Sequence, residues 1–78
     1  MPKIKLIWDF RGPAAEGTAK HHIIHLDEFA KAKGLVVSSG FHKESNLYSI
    51  AHIVVEEKDM ITVRDALRPH RGETAWPF

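Results

Sequence analysis

With 78 residues the chain has room for one domain, residues 1–78, and a domain of this size buries only about 60% of the surface its unfolded form exposes. Such domains lean on disulfides, metal or self-association, and the absence of cysteine removes disulfides and thiolate metal sites here. Eleven basic and ten acidic residues give a net charge of +1, mixed along the chain. That excludes the basic stripe of a nucleic-acid binder, and no apolar run approaches the ~20 residues of a membrane helix.

The first ten residues, "MPKIKLIWDF", alternate instead of forming an apolar block, so no secretory signal is expected and a soluble, cytoplasmic chain is. Ile4, Leu6, Trp8 and Phe10 share one side of a strand, with Lys3, Lys5, Ile7, Asp9 and Arg11 on the other. Gly12 and Pro13 end that strand, and proline suits a first helical turn because its missing N–H needs no partner there. A helix is expected from about Pro13, or after Gly17, to Lys33, with Ala19, Ile23, Leu26 and Ala30 inward and His22 and Phe29 at the margin. Lys31 and Lys33 suit the negative end of its dipole, and Gly34 its stop.

"LVVSSGFH", Leu35 to His42, predicts a second strand bulged near Gly40, and "KESN" a turn. "LYSIAHIVVEE", Leu47 to Glu57, predicts a third strand, apolar on both faces and so central in its sheet or under a second layer. Asp59 suits the N-cap of a short helix, Met60 to Arg68, with Met60, Val63 and Leu67 inward and Pro69 closing it. "GETAWPF" is expected to form a short last strand or an arm. The order β-α-β-β-α(-β) implies an α+β, ferredoxin-like sandwich with both helices on one sheet face. The other face mixes apolar and charged groups and is expected to be covered by a second subunit.

"HHIIHLDEFAKAKGLVVSSGF" resembles the segment of YciI-like proteins in which a His-Leu pair lies on the first helix, and "YSIAHIVVEEKDMITVRDALRP" is similar to their following strand and second helix. The resemblance implies a dimeric α+β barrel, two sheets face to face with a pocket in each subunit, and a homodimer as the partner state. It places the family's helix histidine at His25, followed by Leu26, while Glu44 is the only carboxylate near the position of the family's acidic partner. A small-molecule ligand follows, with a lyase or hydrolase activity using His25.

The histidines admit several roles. His25 is the candidate general acid or base, since histidine titrates near ~6.5, and Asp9 or Glu44 would orient it. His52, amid Ile50, Ala51, Ile53 and Val54, is expected to be desolvated and hydrogen-bonded, either as a satisfied core histidine or as a pocket residue. His25, His52 and Asp9 are therefore the candidate catalytic residues. His21 and His25 are four apart and project together. A third ligand would have to come from His42, His52 or His70, and His22 points toward the core, so no tight zinc site and no cofactor are expected. Arg11, Arg64, Arg68 and Arg71 suit an anion clamp or ion pairs with the scattered acids. Trp8, Phe10 and Phe41 suit the core, and Trp76 and Phe78 a partner surface. The alternatives to the enzyme are a non-catalytic binding or oligomerisation domain and a histidine-only divalent metal binder.

Overall fold

The computed structural model describes residues 2–35 and 37–76, with Ala75 and Trp76 described by their backbone alone. Its elements are β1 (Lys3–Arg11), α1 (Ala15–Lys33), β2 (Ser38–Ser45), β3 (Tyr48–Glu56), α2 (Glu57–Leu67) and β4 (Arg71–Trp76). The sheet is antiparallel throughout in the order β2-β3-β1-β4. This is an α+β fold of two helices on a four-stranded sheet, compatible with a ferredoxin-like arrangement.

Alternation along β1 sets the layers. Leu6 and Trp8 join Ala51, Ile53 and Val55 of β3 in a core completed by Ala19, Leu26 and Ala30 of α1 and Val63 of α2. Both helices therefore cover one sheet face. The registered pairs Ile7–His52, Asp9–Ile50, Lys5–Val54 and Arg11–Tyr48 lie on the opposite face, which no helix covers.

Local chemistry explains most of the boundaries. Gly12 has φ 109°, and its N–H donates to the Leu47 carbonyl at 2.8 Å, which turns the chain off the end of β1. Gly34 closes α1 in the left-handed region at φ 67°. Its N–H reaches the Lys31 carbonyl and that of Leu35 reaches Ala30, the paired bonds of a Schellman stop.

Several boundaries differ from expectation. The second strand begins at Ser38 rather than Leu35 and runs through Lys43 and Glu44 to Ser45, so the turn is Asn46–Leu47 instead of "KESN". As an edge strand, β2 takes its extent from pairing with β3, and its own apolar pattern is too sparse to mark it. The second helix starts at Glu57 with Glu56 as its cap, and Asp59 lies in its first turn. The chain leaves β3 directly into that helix, which leaves no loop for Asp59 to cap. Phe41 is 37% exposed rather than part of the core, on the edge strand with the Lys20 ammonium 5.3 Å from its ring centroid. Pro77 and Phe78 lie outside the described residues, as does any packing of the terminal aromatic side chains.

Candidate functional site on the helix-free sheet face

The uncovered face is built by β1 and β3, flanked by β2 and β4. At its centre Ile7 is 1% exposed and Ile50 7%, although neither belongs to the helix-side core. Half-buried Val54 and His52 continue this apolar centre.

His52 lies over β2 at Gly40. A Cβ at Gly40 would stand 3.0 Å from the His52 Cε1 and 3.2 Å from its Nε2. Glycine at this strand position therefore lets the imidazole rest on the neighbouring backbone. Burial, and secondarily the Lys5 ammonium, push the His52 pKa below its ordinary value, so the ring is held neutral. Its Nδ1 is buried with no hydrogen-bond partner among the described residues. The expected desolvation is present; the expected hydrogen bond at that nitrogen is not.

One end of the face is closed by a polar clamp. The Arg71 Nε and Nη2 donate to the two carboxylate oxygens of Asp9, each at 3.2 Å, and the Tyr48 hydroxyl donates to the same carboxylate. Hydrogen bonds from Arg71 and then Tyr48 hold the Asp9 carboxyl below its ordinary range. The bond to Asp9 raises the Tyr48 phenol. The Arg11 guanidinium stacks over the Tyr48 ring at 4.1 Å. Beneath this clamp, the Asp9 backbone N–H donates to His70 Nδ1 at 2.8 Å, and the His70 N–H donates to the Ile7 carbonyl at 2.9 Å. These bonds carry the start of β4 onto β1. Asp9 is thus a carboxylate already paired with a cation and a phenol, which suits it to fixing the ends of three strands more than to accepting a proton.

The three candidate catalytic residues do not meet in one site. Asp9 and His52 share the helix-free face, but no hydrogen bond joins their side chains. His25 lies on α1, across the sheet, with its side chain 56% exposed. Its Nε2 is 2.9 Å from the Nε2 of His21, and its Nδ1 faces Glu28 at 3.8 Å. Glu44 pairs with His42 at 3.5 Å, away from either. His22 packs edge-on against Trp8 and Phe10, the structural placement expected of it, and burial lowers its pKa.

Among the four arginines, Arg71 takes the expected ion-pair role with Asp9, whereas Arg64 contacts its neighbour Asp65 at 3.3 Å. The parts of the clamp that sequence reasoning missed are Tyr48 and His70. The Asp9–Arg71 pairing spans 62 positions, and only the strand register reveals it.

A cleft of about 340 Å³ lies on the other side, between α2 and β4, with Ile4, Leu6 and Met60 as its apolar lining and Arg64 at its rim. No group of three or more metal-ligating side chains occurs among the described residues, and no described helix is long and apolar enough to cross a membrane. No family model, curated protein or solved structure matches the chain.

Proposed function

We propose that the chain is a non-catalytic binding module that works as a homodimer, two helix-free sheet faces meeting in the manner of a dimeric α+β barrel. The observation that carries this reading is the sheet face itself, which no helix covers and on which half-buried Val54 and His52 stay partly open to solvent beside Ile7 and Ile50, which their neighbours already bury. A small domain without disulfides gains from covering such a face with its own copy. In that arrangement a small-molecule ligand would lie against the face beside the half-buried His52 ring.

The dimensions set the strength. Four strands about 4.8 Å apart and about 26 Å long give a face of roughly 500 Å², or about 1,000 Å² summed over two partners. That is the low end for a specific interface, so the association is expected to depend on protein concentration. A YciI-like lyase or hydrolase using His25 has weaker support, because His25 and the face carrying Asp9 and His52 lie on opposite sides of the sheet.

Val54→Asp tests the reading. It places a charge on the helix-free face at a half-buried position, where it should reduce the mass seen by light scattering from twice the 8.8 kDa chain to the chain alone. Ile61→Asp, on the exposed side of α2, should leave the association intact. Loss of self-association in Ile61→Asp but not in Val54→Asp would move the interface to the helices and defeat the proposal.

A further inference from the structure

The histidine pair on the outer surface of α1 has a geometry of its own. His21 and His25 are one helical turn apart, and their Nε2 atoms stand 2.9 Å from each other, with the rings edge-to-face at 4.6 Å between centroids. Two nitrogens each about 2.0 Å from one ion and 2.9 Å apart subtend roughly 90° at it, the cis angle of a tetragonal ion, whereas a tetrahedral ion would need them about 3.3 Å apart. Glu28 stands on the far side of the His25 ring, its carboxylate 3.8 Å from Nδ1. The carboxylate adds negative charge beside the pair, which favours a bound cation. His22 takes no part, since its ring is turned inward against Trp8 and Phe10.

We infer that His21 and His25 form a two-imidazole chelate for a tetragonal divalent cation, Cu(II) before Ni(II), with water completing the coordination. The preference for copper follows from its place at the head of the affinity order for nitrogen ligands. Binding replaces the imidazole–imidazole hydrogen bond with two metal–nitrogen bonds. It requires His21 to carry its proton on Nδ1, so no oxidant or other co-reactant is involved. The site is independent of the sheet-face interface, because it lies across the sheet from it.

The test uses untagged protein and Cu(II) alone. Calorimetric titration should show a one-to-one site that weakens at least tenfold in His21→Ala and in His25→Ala, both exposed positions whose loss should leave the circular dichroism unchanged. His42→Ala, at an exposed position of β2, should bind as the parent does. Electron paramagnetic resonance of the one-to-one complex should show a tetragonal spectrum with imidazole nitrogen couplings that vanish in the double variant. Equal copper affinity in the parent and the double variant, or zinc binding more tightly than copper, would overturn the inference.

Discussion

Replacing Gly40 by alanine probes the placement of His52, on which the account of the helix-free face depends. Gly40 has no positive φ, so alanine fits the extended backbone, and its smaller unfolded-state entropy should by itself stabilise the chain by about 0.4–1 kcal/mol. Against that, the new Cβ would stand 3.0 Å from the His52 Cε1 and 3.2 Å from its Nε2, several tenths of an ångström inside ordinary contact. Displacing the half-buried ring from its place over β2 is an overpacking cost of about 1–3 kcal/mol. The second effect should win, leaving Gly40→Ala about 0.5–2 kcal/mol less stable, a fall in Tm of roughly 3–12 °C for a domain of this size. In a His52→Ala background the clash disappears and the same substitution should become neutral or mildly stabilising, so a double-mutant cycle should return a coupling of about 1–3 kcal/mol. Urea unfolding of the four proteins at one fixed concentration measures it, since self-association makes apparent stability depend on concentration. Gly40→Ala that is equally harmful with and without His52 would show that the ring does not lie over β2.

Further outcomes follow from the same contacts. His52 is neutral in the folded chain because its pKa is depressed below the ordinary 6.5. The unfolded chain therefore binds more protons, and stability should be full above pH 6.5 and fall as pH drops through the window beneath it. His52→Gln should flatten that part of a stability-against-pH curve relative to the parent, and an identical slope would contradict the assignment, His22 contributing with the same sign in both proteins. Arg68 closes α2 in the left-handed region at φ 49°, a conformation that costs a side-chain-bearing residue about 1–2 kcal/mol; Arg68→Gly should therefore raise the denaturant midpoint, and a lower midpoint would refute the strain. Leu26→Ala empties a fully buried position between α1 and the sheet and should cost about 2–5 kcal/mol in chemical unfolding, whereas a loss under ~1 kcal/mol would place Leu26 outside the core.

The legible parts of the fold were those in which one residue type answers one local demand. Strict alternation from Ile4 to Phe10 marked the first strand and both its faces, and Gly34 marked the helix end because a left-handed cap favours glycine. The inward residues of α1 followed from helical spacing and pack as expected. The second strand was misplaced by three residues because its exposed, polar sequence carries little periodic signal, and its partner β3 sets where it pairs. The site was less legible. Alternation put Asp9 on the helix-free face, but its engagement by Arg71 and Tyr48 depends on β4 and β3 flanking β1, a tertiary fact. His52 remained ambiguous because β3 is apolar on both faces, so burial alone could not distinguish core from open face. His25 fell on the wrong side of the sheet for a shared site with Asp9, since the helix spacing fixes its flank but not what lies beyond the sheet.

The central claim is that two copies meet through their helix-free faces, and one distance measurement tests it directly. The chain has no cysteine, so Lys31→Cys, at an exposed position of α1, can carry a single nitroxide per copy. If the sheets face each other, the helices lie on the outside, and helix, sheet, sheet and helix layers spaced about 10 Å apart put the two labels roughly 30–40 Å from each other. Pulsed dipolar spectroscopy at concentrations where the mass is doubled should return a distance in that range. Labels within about 20 Å of each other would mean that the helices form the contact and would contradict the account.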